Sequence, residues 1–466
     1  MIQVYWKNAT ADVVGADDGV TAADLDAVSP KVEAALDTVR RQADAGELGY
    51  VKLPGRTDCR DRVRRLVEAH RPGTTDLVVL GIGGSALGNI ALQAALNPAT
   101  YNLLDQAARG GPRLFVLDNV DPALVADVMD YLGDRLETTL FNVISKSGET
   151  AETASQFMIF RQMLRKGLGD EYARHIVATT DAARGTLHTI ATAEGYDMLE
   201  VPGDVGGRFS VLSEVGLFSA AMCGIDIDAL LGGAAQMADR CRQADWRSNP
   251  ACVLAAVKYL MMTAKGKPIH VMMPYSNRLY SLADWYRQLW AESLGKANDR
   301  SGREVFVGPT PVKALGATDQ HSQVQLYREG PNDKLTVFVS VAAHPADVDI
   351  PKAFPDVPGL SYLGGATLGE LLAAELAATE YVLAQARRPS VTIRFDAISP
   401  AAVGEFLFLY EFATSLMGEL LDINAYDQPA VELGKKATFG LLGREGYQDV
   451  GEEVRAFAAT DERYLV

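Results

Sequence analysis

A chain of 466 residues holds two or three domains of ordinary size and needs no disulfide staple to complete a core. Its 44 basic and 60 acidic side chains give a formal net charge of −16, which excludes the basic footprint of a nucleic-acid binder or a protein drawn to anionic membranes. With 48% hydrophobic and 22% charged residues, it can bury enough apolar surface to fold without a partner.

The opening MIQVYWKNAT has no basic stretch followed by an apolar one, which argues against a secretory signal. Residues 1–59 read as a helical, polar segment that packs on the second of two units. From Leu77 onward, LVVL, RLFVLD, FNVI, HIVATT and DMLEV alternate with helical patterns, the rhythm of βαβ units and a mostly parallel sheet. They predict a first α/β domain over residues 60–230. A polar stretch at 243–250 interrupts the rhythm, and IHVMMP, LTVFVS and VTIRF resume it in a second α/β domain over 231–466 that ends in helices. The apolar run 401–421 carries Glu405, Glu411 and Glu419, too much charge for a membrane span of about 20 apolar residues; it reads as a buried helix. Cys59, Cys223, Cys241 and Cys252 form no C-x-x-C pair, so neither a zinc knuckle nor a disulfide framework is expected. A reducing, cytoplasmic location suits the chain.

In open parallel sheets, ligands bind beyond the carboxyl ends of the strands, and the loops there carry the chemistry. Gly81-Ile-Gly-Gly84-Ser85-Ala-Leu-Gly88 lets a ligand approach the backbone at a helix N-terminus. Gly81, Gly83 and Ala86 also satisfy a dinucleotide turn, whereas Asn89 stands where a Walker loop needs lysine. Ser145-Lys146-Ser147-Gly148-Glu149-Thr150 brings three hydroxyls, an ammonium and helix-start amides together, which suits a phosphomonoester; a simple N-cap is the plainer reading. Glu149 is expected to point away from such an anion.

Further loops add candidate groups. Behind Gly206 and Gly207, the Arg208 guanidinium can stabilise charge developing on a substrate oxygen, or bridge two elements. Glu292 and Lys296 are spaced for an i,i+4 ion pair, but Gly295 puts Glu292 near a helix end, where a carboxylate can face a cleft as a base. His321, one of six histidines, suits proton transfer near neutral pH or a surface cap. Gln428 precedes Pro429, after which a helix carrying Lys435 and Lys436 begins; paired lysines there are ordinarily solvated.

Taken in order, GIGGSALG, NVISKSGET, DVGGRFSVLSEVGL, RQLWAESLGK, ATDQHSQ and QPAVELGKK closely resemble the phosphoglucose isomerase family, from about Leu77 to Gly440. The resemblance implies two three-layer α/β/α sugar-isomerase units with mostly parallel sheets and helical N- and C-terminal extensions, in a compact bacterial-type form. It implies reversible interconversion of glucose 6-phosphate and fructose 6-phosphate through a cis-enediolate, as in glycolysis and gluconeogenesis, with no cofactor or metal. Sugar phosphates would be the partners, in a homodimer with active sites shared between subunits, and neither nucleic acid nor membrane is implied.

By position, the resemblance gives Ser145, Ser147 and Thr150, with Lys146 nearby and Ser85, to the sugar phosphate, and makes Gly84 and Ser85 the floor of the site. Glu292 becomes the base between C2 and C1, and Arg208 steadies the enediolate. His321 and Lys435 open the sugar ring, while Gln288 and Gln428 orient hydroxyls. Ser147, Glu149 and Glu214 depart from the commonest family pattern, which bears on phosphate geometry and on whether mannose 6-phosphate is also accepted. A noncatalytic sugar-phosphate sensor would have no need of Glu292, His321 and Lys435 together; a dinucleotide-linked dehydrogenase is a third reading.

Overall fold

The computed structural model describes residues 1–466. Strand β1 (Ile2–Tyr5) opens the chain, followed by β2 (Asp76–Leu80), β3 (Arg113–Leu117), β4 (Thr139–Ile144), β5 (Ile176–Thr180) and β6 (Asp197–Glu200). The second half supplies β7 (Ile269–Pro274), β8 (Lys296–Asn298), β9 (Glu304–Val307), β10 (Thr310–Lys313), β11 (Lys334–Ala343) and β12 (Ser390–Ala397).

The first sheet runs β3-β2-β4-β5-β6, all parallel. Its side chains alternate between faces with the period of a strand. Val78 and Leu80 join Phe157, Phe160 and Leu164 of helix Ala151–Leu168 in one core. Leu77 and Val79 face the other way, into a larger core shared with the second half of the molecule. Because β2 lies between β3 and β4, the chain leaves β2 and β4 toward opposite sides, and a crevice opens at their carboxyl ends.

The second sheet runs β1-β12-β11-β7-β10, with β1 antiparallel and the other strands parallel. Met272, Val337 and Ile393 face the shared core, while Val271, Met273 and Phe338 pack with Leu376 and Leu383 on helix Leu368–Gln385. Two α/β/α sandwiches thus share one apolar interior, the fold expected of the chain. Helix Pro400–Leu421 passes through it with nearly every residue buried, as an all-round apolar pattern requires. No helix is long and apolar enough to cross a membrane. All four cysteines are buried and unpaired.

The opening segment is helical only in part. β1 pairs with β12 from Ile2↔Phe395 to Tyr5↔Thr392, and the Ile2 amide donates to Glu405 at 2.6 Å. Four residues are too few to display a period, and the partner strand lies almost 400 positions away, so the sequence reading of a helical start misses this edge strand. Beyond it, helix Ala22–Ala45 begins at a reciprocal Thr21–Asp24 capping box and packs on Pro400–Leu421. β10 is also an edge strand, which is where Pro311 can sit, since its missing N–H is not needed for the ladder.

Candidate active site

The glycine loop after β2 and the segment 206–208 meet backbone to backbone. A Cβ built on Gly84 would lie 2.2 Å from the Gly207 carbonyl oxygen, so only glycine permits the approach that brings Arg208 beneath the loop. Gly83 faces Gln288 in the same way, its virtual Cβ 2.9 Å from the amide nitrogen. Gln288, Glu292 and Ser293 come from helix Tyr280–Leu294, whose inner face is buried by Tyr286 and Trp290.

Arg208 is the most heavily engaged group. Its side chain is 2% exposed, and all five N–H donors are placed. Nε donates to Ser293 Oγ at 2.7 Å; Nη1 donates to Glu292 Oε1 at 3.2 Å and Gln428 Oε1 at 2.9 Å; Nη2 donates to the carbonyls of Ala425 and Asp427 at 2.6 and 3.2 Å. Burial pulls the guanidinium below its ordinary pKa, against the opposing pull of the Glu292 and Asp427 carboxylates. Ser293 is a partner that the sequence reading did not single out, although it stands next to Glu292 in the motif.

Glu292 is held from both sides, by Arg208 and by Gln288 Nε2, which donates to Oε2 at 3.0 Å. It faces a cavity of about 790 Å³ lined also by Leu87, Gln288, Lys296 and Gln428. The i,i+4 ion pair with Lys296 is not made. The lysine amine instead donates to the main-chain carbonyls of Glu292 and Ser293, at 3.0 and 2.9 Å, and lies 3.7 Å from Asp427. It closes the helix C-terminus and leaves the carboxylate free for the cavity.

A second cavity of about 460 Å³ lies where the loop after β4 meets helix Val431–Leu441, lined by Ile82, Ser147, Glu149, Thr150, Glu432 and Lys435, among others. Ser145 is buried, accepts from the Gly148 amide at 3.0 Å and approaches the Thr150 hydroxyl at 3.4 Å. Ser147 Oγ accepts from the Glu149 amide at 3.1 Å, leaving its own proton to donate. Thr150 precedes helix Ala151–Leu168 without a side-chain capping bond, so the first helix amides keep no internal acceptor. Lys146 reaches across to the carbonyls of Gly203 and Val205, at 2.9 and 3.3 Å, tying this loop to the one that leads to Arg208. Lys435 is exposed and paired with Glu432 at 2.8 Å. Ser85 is half-buried on the glycine loop.

Two further residues lie at or beyond the cavity walls. Glu149 lines the cavity, but its carboxylate bonds outward, to Arg444 at 3.1 Å and to the Thr186 hydroxyl at 3.3 Å, neither of which lines it. His321, just after the short helical turn Thr318–Gln320, is exposed and lines neither cavity. Glu214, the third departure, is structural. It is wholly buried, receives Arg62 Nε at 2.6 Å and also accepts from the Glu200 amide, joining helix Thr57–His70 to β6.

Paired α/β/α units, one cavity lined by Ser147 and Thr150 and another walled by Glu292 beside Arg208 are the setting for the comparisons, which define the class as sugar-phosphate isomerase. Its residues 51–349 and 369–444 match the family model described as phosphoglucose isomerase. Over 433 residues it is 48% identical to the glucose-6-phosphate isomerase of Carboxydothermus hydrogenoformans, covering 93% of each chain. Identity to that of Rubrobacter xylanophilus is 44%, over 93% of this chain and 96% of the relative. Among solved structures, a hypothetical protein from Thermus thermophilus superposes with a TM-score of 0.81 at 38% identity, covering 95% of this chain and all of that one. A glucose-6-phosphate isomerase from Chlamydia trachomatis gives 0.74 at 26%, covering 85% and 76% of the two chains. The chain belongs to the phosphoglucose isomerase family.

Proposed function

We infer that this chain interconverts glucose 6-phosphate and fructose 6-phosphate by moving one proton between C2 and C1 through a cis-enediolate. The observation that carries this reading is the Glu292 carboxylate, held between Arg208 and Gln288 at the wall of an open cavity. Aldose–ketose isomerisation requires a base beside the α-carbon proton and a fixed positive group for the oxygen that gains charge. Glu292 supplies the first. Arg208 supplies the second through Nη1, whose two present partners, Glu292 and Gln428, both line the cavity. Ser145, Ser147, Thr150 and the helix amides behind them hold the phosphate, with Ser85 and Gly84 on the facing loop. Binding energy gathered at the phosphate orients the distant reacting end. Lys146 keeps the phosphate loop in register with the Arg208 loop.

Ring opening falls to Lys435 and to His321. By the resemblance of its motif, the exposed His321 enters the neighbouring subunit's site in a homodimer. The reaction belongs to cytoplasmic glycolysis and gluconeogenesis. The test is incubation of the purified protein with fructose 6-phosphate, in the presence of a chelator and without nicotinamide, with the products followed by NMR. Glucose 6-phosphate should appear, and parallel incubation with mannose 6-phosphate measures substrate breadth. A folded protein that binds fructose 6-phosphate and returns it unchanged is a sensor, and the isomerase reading fails.

A further inference from the structure

The cavity assigned to the phosphate has an unfavourable charge on its wall. Glu149, Glu152 and Glu432 all line it, against Lys435 alone among the cations. Lys435 is already paired with Glu432. A phosphate dianion entering beside Ser147 and Thr150 therefore meets the Glu149 carboxylate on the same short loop, and two like charges at such range repel even across water.

Arg444 answers this charge from outside. It stands just beyond helix Val431–Leu441 and does not line the cavity, yet its Nη2 donates to Glu149 Oε2 at 3.1 Å. Its guanidinium lies 4.5 Å from the centre of the Phe439 ring and 5.7 Å from that of Tyr447. The two rings hold the planar group in place. On its other oxygen, Glu149 accepts from the Thr186 hydroxyl at 3.3 Å, so the carboxylate is fixed from both sides.

We propose that Arg444 is a positioning and charge-compensating residue of the phosphate site: it neutralises Glu149 and holds that carboxylate aside, so that a dianionic sugar phosphate can occupy the hydroxyl cradle. The proposal rests on the assignment of Ser147 and Thr150 to the phosphate. As an ion pair with both partners about half exposed, the contact adds little to stability; its effect is on the anion.

The test is a charge cycle at low ionic strength, read as KM for fructose 6-phosphate and as the inhibition constant of inorganic phosphate. Arg444→Met should raise both by about three- to tenfold, with the loss in KM rather than kcat. Glu149→Gln should lower both. The double variant should return close to the native values, and the spread among the four proteins should shrink in about 0.5 M salt, where the Debye length is only a few ångströms. Unaltered constants in Arg444→Met overturn the proposal. So does a double variant no better than Arg444→Met, which would show that the arginine acts by propping the helix. Ser147→Ala with Thr150→Ala separates the layers. If that pair weakens phosphate inhibition while the charge cycle is flat, only the role of Arg444 is lost; if it has no effect, the cradle assignment falls, and the proposal with it.

Discussion

At the scale of single residues, the arrangement of Arg208 sets what the cleft can do. Its Nε and Nη2 donors are spent on Ser293 and on the main chain at 425 and 427, which fixes the plane of the guanidinium. Only Nη1 has partners that line the cavity, Glu292 and Gln428. A lysine has three donors on a flexible stem and cannot reproduce this fork. Arg208→Lys should therefore reduce kcat by about 10² to 10³, the range seen when a preorganised oxyanion donor is lost, and should cost about 1–3 kcal/mol of stability for the acceptors left unpaired. Steady-state kinetics beside a melting curve checks both; a kcat within tenfold of native would remove Arg208 from charge stabilisation. The sequence showed Arg208 and Glu292 as candidates, but not their contact, because they are 84 positions apart. Nor did spacing show where Lys296 would go. An i,i+4 pair competes with unsatisfied carbonyls at a helix end, and here the carbonyls win.

At the scale of elements, the strands of the first sheet were legible, its edge strands β3 and β6 included, whereas β1 and β10 at the edges of the second were not. β1 depends on a partner at the far end of the chain, and β10 contains a proline, so neither announces itself locally. The helix Pro400–Leu421 shows how differently three glutamates of one apolar run are treated. Glu405 receives the Ile2 amide and lies 3.5 Å from Arg240, while Glu419 pairs with Arg300. Glu411 is wholly buried with neither oxygen hydrogen-bonded, and burial pushes its pKa well above the usual carboxylate value. The folded protein therefore holds this proton to higher pH than the unfolded chain does. Stability must then fall as pH rises above the unfolded value of 4.5, by about 1.4 kcal/mol per pH unit until the folded pKa is reached. Glu411→Gln abolishes this contribution. The variant should gain on the native protein in urea midpoints as pH rises above 4.5, and parallel pH profiles for the two would show that Glu411 ionises in place.

At the scale of the whole molecule, two α/β/α units share one apolar interior, and the proposed base, guanidinium and phosphate cradle all lie within a single chain. His321 is the exception, and it was assigned only through the resemblance of its motif, since no local pattern tells a catalytic histidine from a surface one. If it serves a neighbouring subunit, mixing inactive Glu292→Gln chains with inactive His321→Ala chains should restore up to about a quarter of native activity, because statistical exchange makes half the dimers mixed and one of their two sites complete. Verified mixed dimers without activity would confine each site to one chain.

The central claim is that Glu292 moves the proton, and Glu292→Gln tests it most directly. The amide keeps the size of the carboxylate and can still face Arg208 and Gln288, but it cannot accept a proton at neutral pH. Turnover and exchange of the C2 proton into deuterated water should both fall by at least about 10² to 10⁴, while inhibition by a nonreacting sugar phosphate, measured on the same sample, stays near native. A folded variant that binds the inhibitor and still exchanges the C2 proton at close to the native rate would contradict the account.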